Sequence, residues 1–288
     1  STLAKARAAL RGKSPVLVLT GAGMSAESGI PTFRDAQTGL WAHYRPEDLA
    51  TPEAFARDPA TIWRWYQWRR GLVEQAAPHA GHYALARWLM RHPQTTLITQ
   101  NVDGLHGRAQ AEVEADAFAD EYPGPHTVSV PADPADRSTS DRAHAVPTRN
   151  FSSPGARIVE LHGNLHRTIC ARTRRVVDAG WLRRHAETTP LPSPFSPGDW
   201  CRPDVVWFGE PLPTLALSHA QAAAARGGVC LIVGTSGLVQ PAASLPLLAL
   251  QAGALLIELN PERSALSEHV EHFLPLSARV GLPALLDP

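Results

Sequence analysis

The feature that most constrains the fold of this chain is an apolar run followed at once by a glycine-rich turn. Residues Val16–Thr20 read Val-Leu-Val-Leu-Thr, the pattern of a strand that is buried on both faces of a parallel sheet. Gly21 and Gly23 follow, and they let the backbone turn sharply and approach a ligand closely. The next residues can open a helix whose N-terminal N–H groups face an anion. The sequence therefore predicts a nucleotide-phosphate site at the end of this strand.

The glycine pattern is a weak signal by itself, because Gly21, Gly23 and Ala26 also suit an ordinary tight turn. A dinucleotide-dependent dehydrogenase would add an acidic residue about 20 positions further on, at the end of a second strand. Residues 35–44 have no strand pattern. The pattern therefore does not indicate hydride transfer by a dehydrogenase.

Strand-like and helix-like segments alternate along the chain. The further strand candidates are Thr95–Thr99, 157–161, Val229–Val233 and Leu255–Leu259. Helices are predicted from Asp58, with Pro59 at the first position, to about residue 76, over 79–92, and over 241–252. This alternation predicts an α/β fold, a Rossmann-like parallel sheet with helices on both faces. Gln100, His162 and Gly234 each follow a strand, so one cleft at the carboxyl edge can collect them.

Composition excludes several classes of function. Lysine plus arginine and aspartate plus glutamate both number 27, so a formal net charge of +0 gives no pull toward nucleic acid or an anionic membrane. No stretch approaches the roughly 18 apolar residues of a membrane span. Three widely spaced cysteines argue against a disulfide framework. We expect a soluble, cytoplasmic protein.

Six short motifs occur in one order along nearly the whole chain. They occupy residues 21–34, 100–103, 162–163, 205–210, 234–236 and 258–260. Together they resemble the motifs of the sirtuins, the NAD-dependent protein deacylases. The resemblance implies NAD as the cofactor, acyl-lysine proteins as substrates, and a small second domain beside the Rossmann-like one.

The resemblance also suggests how the chain is divided. The large domain would comprise about 1–50, 93–165 and 203–288, and the small domain about 51–92 and 166–202. Residues 109–155 are rich in Ala, Asp and Pro and stand where the family has a short connection. They are predicted to be an inserted loop, with a short strand at 127–130. The loop is either a tolerated surface insertion or a flap over the acyl site.

Site residues follow from the same motifs. A histidine titrates near neutrality, so His162 can take a proton at working pH. In sirtuins the equivalent histidine is the general base on the nicotinamide ribose hydroxyls, and Asn101 accompanies it as a catalytic residue. The predicted cofactor-binding residues are Gly21, Ala22, Gly23, Ser25, Phe33, Arg34, Gln100, Asn101, Asp103, Gly234, Thr235, Ser236, Asn260 and Ala278.

Tyr66 and Arg69 resemble the Tyr-x-x-Arg element of the sirtuin branch that removes succinyl and malonyl groups. They are three residues apart on a predicted helix, so they share a face. Arginine offers a rigid fork to a carboxylate, and tyrosine adds a hydroxyl donor. Thr32, which stands where many deacetylases of the family carry aspartate, also resembles this branch. Without the resemblance, an amphipathic helix with aromatic residues in the core would be the favoured interpretation. The other predicted substrate-binding residues are Val206, Trp207, Phe208, Gly209 and Glu210.

The sequence departs from the family at its structural zinc site, which sirtuins commonly build from two cysteine pairs. Cys170 is present, but Thr173 stands where its partner belongs, and Cys230 lies in a predicted core strand. A tetrahedral site needs about four ligands, so we expect no structural zinc. The alternative ligand set is His166, His185, Cys170 and Cys201. Without zinc, the small domain would be held by the packing of Val176, Val177, Trp181 and Leu182, among solvated arginines.

Two other functions are compatible with the same motifs. An ADP-ribosyltransferase or NAD hydrolase would use the same fold with another acceptor. A nucleotide-sensing module would bind without turnover, and it predicts a lost base or a broken cofactor loop. His162 and the Tyr66–Arg69 pair are intact, which favours the acyl-lysine reaction.

Overall fold

A computed structural model describes residues 1–31, 41, 43–121 and 157–287 of the chain. Predicted site residues Phe33 and Arg34, together with Thr32, lie outside the described residues, as does the strand predicted at 127–130.

The described residues form eight strands. They are β1 (Val16–Thr20), β2 (Thr95–Thr99), β3 (Ile158–Glu160), β4 (Gly163–Cys170), β5 (Cys201–Val205), β6 (Val229–Val233), β7 (Leu255–Leu259) and β8 (His272–Leu274). Six of them pair in parallel in the order β3-β2-β1-β6-β7-β8. Strands β4 and β5 form a separate antiparallel ladder. The predicted Rossmann-like α/β fold is confirmed.

Helices lie on both faces of the six-stranded sheet and beside the antiparallel ladder. They are α1 (Thr2–Gly12), α2 (Pro46–Leu49), α3 (Pro52–Arg57), α4 (Pro59–Glu74), α5 (Ala80–Arg91), α6 (Leu105–Glu121), α7 (Ala179–Arg184), α8 (Thr214–Ala224), α9 (Leu245–Gln251) and α10 (Ala278–Leu286). Successive side chains of a strand point to opposite faces. Val16 and Val18 of β1 accordingly pack in one core cluster with α1, α5 and α10, whereas Leu17 and Leu19 pack in another with α8 and α9. No described helix is long and apolar enough to cross a bilayer.

Helix α4 begins as predicted. The Asp58 carboxylate accepts a hydrogen bond from the Thr61 N–H at 3.0 Å, and Pro59 occupies the first helical position. The buried face of α4 packs against β4, β5 and the segment after β5 through Tyr66, Leu165 and Trp207. This helix therefore joins the antiparallel ladder to the rest of the fold.

Two predictions about organisation differ from the structure. Helix α5 packs on the central sheet through Leu85 and Trp88, although its residues were assigned to the small domain. Helix α6 occupies residues 109–121, so the prediction of a loop is wrong there. Ala109 is buried, and the Ala, Glu and Gln residues of α6 favour a helix. These two local effects outweigh the loop-like composition of the whole segment.

Candidate active site

Two glycine loops meet where the strand order reverses, between β1 and β6. The Gly23 N–H donates to the Gly234 carbonyl at 2.8 Å, and the Gly21 N–H donates to the Val233 carbonyl at 3.0 Å. A Cβ on Gly23 would lie 2.8 Å from the Gly234 Cα, so a side chain here would force the loops apart. Ligands of open α/β sheets bind at such a switch point. The junction therefore lies where the ligand cleft of such a sheet is expected.

The loop after Gly21 forms two short 3-10 turns, at Ala22–Met24 and Ala26–Ser28. The sequence predicts that a helix opens here with its N-terminal N–H groups toward an anion. This described stretch contains no α-helix, so that prediction is wrong. Ala22 is exposed, and Ser25 is buried. The Glu27 carboxylate accepts a hydrogen bond from the Arg279 N–H at 3.0 Å. That bond ties the loop to the start of α10, where Ala278 lies buried.

Gln100 and Asn101 connect the end of β2 to both loops. The Asn101 Nδ2 donates to the Gly21 carbonyl at 2.9 Å and to the Ser25 Oγ at 3.2 Å. The Gln100 Nε2 donates to the Thr235 Oγ1 at 3.1 Å. The side chains of these two residues therefore hold the β1 and β6 loops in one arrangement.

The far side of the cleft follows β6 and β7. The Asn260 Nδ2 donates to the Thr235 carbonyl at 3.0 Å. Ser236 is exposed, and its carbonyl accepts from the Ala265 N–H at 3.2 Å. The hydroxyl and amide groups of this edge can hydrogen-bond the sugar and phosphate groups of a nucleotide.

Asp103 is a buried carboxylate below the same cleft. Burial raises its pKa, while hydrogen bonds from Ser25 and the Leu105 N–H oppose the shift. Ser25 thus contacts both Asn101 and Asp103, which the sequence predicted to face one side. The structure brings these three predicted residues together.

His162 lies in the turn between β3 and β4. Its Nδ1 is 2.9 Å from the Gln100 carbonyl. A carbonyl only accepts hydrogen bonds, so Nδ1 carries the proton and Nε2 keeps a free lone pair. Burial lowers the pKa of His162, and the bond to Gln100 only partly opposes this. The imidazole is therefore neutral near pH 7 and can act as a base through Nε2.

The predicted substrate segment passes directly beside this histidine. The Val206 N–H donates to the His162 carbonyl at 2.9 Å, and the Phe208 N–H donates to the Ala50 carbonyl at 3.0 Å. Phe208 is exposed, and Gly209 has a φ of 83°, a conformation that glycine adopts without strain. The segment thus leaves β5 next to the base and turns at Gly209.

Tyr66 and Arg69 both belong to the inner part of α4. The Trp207 Nε1 donates to the Tyr66 hydroxyl oxygen at 2.8 Å, and burial raises the pKa of Tyr66 to about 12, so its hydroxyl stays neutral. The Arg69 guanidinium stands 5.2 Å from the Trp65 ring centroid, and burial lowers its pKa. A half-buried cation next to a neutral hydroxyl can receive an acidic group.

Glu210 and Arg202 form a support beneath Trp207 that the sequence analysis did not recognise. The Arg202 guanidinium donates to both Glu210 carboxylate oxygens, at 2.6 and 2.9 Å, and stacks 3.3 Å from the Trp207 ring centroid. The Glu210 carboxylate also accepts from the Trp207 N–H at 2.8 Å. Burial alone would raise the pKa of Glu210, but the bonds from Arg202 and Trp207 lower it. Glu210, predicted as a substrate contact, is thus held inside the protein by Arg202.

The sequence analysis also missed three histidines that lie next to β1 and the loop after Gly21. His79 Nε2 donates to the Met24 carbonyl at 2.7 Å, and His106 Nε2 lies 2.9 Å from the Thr20 Oγ1. The His82 ring lies between them, with centroids 4.3 and 5.0 Å away. Burial lowers the pKa of all three, that of His106 to about 3. The spacing of His79 and His82 at the start of α5, where each caps the other's backbone, was the available signal.

The residues near Cys170 do not fit a tetrahedral zinc site. Thr173 donates its N–H to the Cys170 sulfur at 3.5 Å, and Ser193 also hydrogen-bonds that sulfur. The alternative ligands are dispersed, because His166 Nε2 lies 3.2 Å from the Asp103 carbonyl and His185 stacks on Trp181. Within residues 1–31, 41, 43–121 and 157–287, no three His, Cys, Asp or Glu side chains cluster as metal ligands would.

Only part of the predicted packing of the small domain is observed. Val177 is buried in a cluster with Trp63, Leu191 and Cys201, and Trp181 and Leu182 pack on it. Val176 is 55% exposed, so its prediction as a packing residue is wrong.

The fold and the cleft define an α/β protein of the nucleotide-binding class, with a neutral histidine base at one wall of the cleft. Comparison with known proteins narrows that class. Residues 21–116 and 150–241 match the Sir2 family model. This chain belongs to the Sir2 family.

Relatives with known names agree over nearly the whole length. The NAD-dependent protein deacylase of Deinococcus radiodurans is 44% identical over 287 residues, covering 99% of this chain and 98% of that protein. NAD-dependent protein deacylase 2 of Pyrobaculum aerophilum is 41% identical over 271 residues, covering 94% and 89%. The crystal structure of a Sir2 homolog–NAD complex matches with a TM-score of 0.74 and 36% identity, covering 98% of this chain and 92% of that one.

Proposed function

We propose that this Sir2-family protein is an NAD-dependent protein-lysine deacylase that prefers succinyl and malonyl groups. The observation that carries the proposal is His162, a neutral imidazole with Nδ1 bound to the Gln100 carbonyl. Gln100 also bonds Thr235 of the opposite loop, so the base is held relative to the nucleotide cleft. The relatives named NAD-dependent protein deacylases support the same activity.

The cleft fits a dinucleotide. Gly21, Gly23 and Gly234 let the two loops approach each other closely, and Ser25, Asn101, Thr235 and Asn260 present polar groups beside that junction. NAD would supply a ribose carbon that takes the acyl oxygen while nicotinamide leaves. His162 would accept a proton at Nε2 from a ribose hydroxyl. Asn101 and Asp103 would position the nicotinamide side through their shared contacts with Ser25.

The acyl preference rests on Arg69 and Tyr66. A succinyl or malonyl carboxylate would form an ion pair with the Arg69 guanidinium and accept a hydrogen bond from the Tyr66 hydroxyl. An acetyl group offers no such partner to a half-buried cation. A hydrogen bond to a charged group contributes about 1.5–3 kcal/mol, a tenfold to hundredfold effect on kcat/KM.

The test measures kcat/KM for succinyl-, malonyl- and acetyl-lysine peptides with NAD, following nicotinamide and O-acyl-ADP-ribose by mass spectrometry. We expect Arg69→Met to lose at least about tenfold on the acidic acyl peptides and little on the acetyl peptide. Arg64→Met is the matched control, because Arg64 lies exposed on the same helix. His162→Ala should abolish all three reactions.

The outcomes separate the two parts of the proposal. An equal fall for all peptides in Arg69→Met would show that Arg69 supports the fold rather than the acyl group. Nicotinamide release without O-acyl-ADP-ribose would replace deacylation with NAD hydrolysis or ADP-ribosyl transfer.

A further inference from the structure

Two free cysteines stand directly opposite each other in the antiparallel β4–β5 ladder. Cys170 and Cys201 are register partners, and they are 0% and 1% exposed. The neighbouring Ala171 N–H donates to the Trp200 carbonyl at 2.9 Å. The N–H groups of Cys170 and Cys201 donate to carbonyls outside this pair rather than to each other's carbonyl. This pattern marks a non-hydrogen-bonded pair, in which Cα atoms lie about 4.5 Å apart and side chains share one face. That spacing falls within the range that a disulfide spans.

The two sulfurs differ in their hydrogen bonds. The Cys170 sulfur accepts a hydrogen bond from the Thr173 N–H, and it also forms hydrogen bonds with the Ser193 side chain and the Arg172 backbone. Burial raises its pKa, but these bonds outweigh burial and lower the pKa to about 7. The Cys201 thiol donates to the Pro192 carbonyl at 3.3 Å, and burial together with the nearby Cys170 raises its pKa to about 12. The Cys170 sulfur therefore accepts hydrogen bonds, whereas the Cys201 sulfur donates one.

We propose that Cys170 and Cys201 are a redox pair that closes to a cross-strand disulfide at the place where the family's zinc does not fit. The inference does not depend on the proposed enzymatic function. It follows from the register of the ladder and from the hydrogen bonds of the two sulfurs.

The oxidant is a peroxide. The Cys170 thiolate attacks one peroxide oxygen, the O–O bond breaks, and hydroxide leaves, which gives a sulfenic acid. The Cys201 sulfur then attacks the sulfenic sulfur as its S–O bond breaks. The Cys201 proton leaves with that oxygen as water. Two thiols lose two electrons in all, and one hydrogen peroxide is reduced to two waters.

The ladder carries the effect of this bond toward the cleft. Its opposite end is the Gly163–Val205 pair, which is followed immediately by the Val206 bond to the His162 carbonyl. A disulfide would fix the distal end of both strands and stabilise the ladder against opening. Cys230 is a natural comparison, because it is fully buried in β6 among apolar side chains.

The experiment treats the full chain with hydrogen peroxide, denatures it, blocks free thiols with N-ethylmaleimide and maps the peptides by mass spectrometry. We expect a peptide that joins Cys170 to Cys201, reversed by dithiothreitol, with Cys230 alkylated. The oxidised protein should melt at least about 3 °C higher. Cys230→Ala should still form the bond, whereas Cys201→Val should leave Cys170 as a sulfenic acid that a dimedone probe labels.

Other results would overturn the proposal. They are alkylation of both Cys170 and Cys201 after oxidation, a crosslink that involves Cys230, and a bond between two chains. The wild-type map needs no variant, so a variant that fails to fold does not remove the test.

Discussion

Arg202 holds the Trp207 indole that hydrogen-bonds Tyr66, and Arg202→Met removes that support. The guanidinium is 4% exposed and makes two bonds to Glu210. It also donates to the Val205 carbonyl at 2.8 Å. Methionine keeps much of the apolar volume beneath Trp207 but leaves the Glu210 carboxylate and this carbonyl without the cation.

The magnitude follows from burial. Breaking a buried ion pair by removing one partner costs about 3–5 kcal/mol. Glu210 is 18% exposed and retains the Trp207 N–H, so water and that bond offset part of the loss. The Arg202 Nε has no hydrogen-bond partner among the described residues, so removing this buried donor also relieves a cost. We therefore expect Arg202→Met to lower the free energy of unfolding by about 3 kcal/mol.

The assay is urea unfolding of wild type, Arg202→Met, Glu210→Gln and the double variant. The double variant should lose less than the two single losses combined, by about 1–3 kcal/mol, because each single change breaks the same interaction. Trp207 donates to Tyr66, so Arg202→Met should also raise KM for the acyl-lysine peptide. A loss below about 1 kcal/mol, or strictly additive effects, would refute a supporting ion pair.

Two further predictions concern pH. Burial lowers the pKa of His82 and of His106 in the folded protein. The unfolded chain therefore binds protons first as pH falls below about 6.5. At pH 5 each of the two histidines lowers the free energy of unfolding by about 2 kcal/mol. Melting temperature should therefore fall steeply from pH 7 to 5 and less steeply in His106→Gln, with His43→Gln, at an exposed histidine, as the control variant. The pKa of His162 is also lowered, so the acid limb of kcat/KM should have its midpoint below 6.5 in protein that circular dichroism shows to be folded. A midpoint above 6.5 would contradict a neutral, buried base.

Much of the sheet could be predicted from the sequence because local signals agreed with the tertiary structure. Val229–Val233 is apolar throughout and Val16–Thr20 is apolar up to Thr20, and both are strands buried on two faces. The Asp58–Pro59 start of α4 depends on a capping bond between neighbours in sequence. Such features need no knowledge of distant partners.

The elements that were missed depend on partners far along the chain. Arg202 and Tyr66 both contact Trp207, and no spacing in the sequence reveals those contacts. Helix α6 was hidden because its polar, alanine-rich residues form no strong apolar stripe, and burial of Ala109 becomes evident only once α5 packs on it. Val176 fits a packing role by residue type, but the chain turns it outward.

Side-chain hydrogen bonds join helix α4 to the antiparallel ladder. Arg70 of α4 donates to the Leu165 carbonyl at 2.7 Å and to the Thr168 Oγ1 at 2.9 Å, so it bridges the helix to β4. Its guanidinium also lies 5.3 Å from the Trp63 ring centroid, and burial lowers its pKa to about 10 without removing its charge near neutral pH. An amphipathic reading of α4 would put this arginine in solvent. Its burial instead makes Arg70 a hydrogen-bonded crosslink between helix α4 and strand β4.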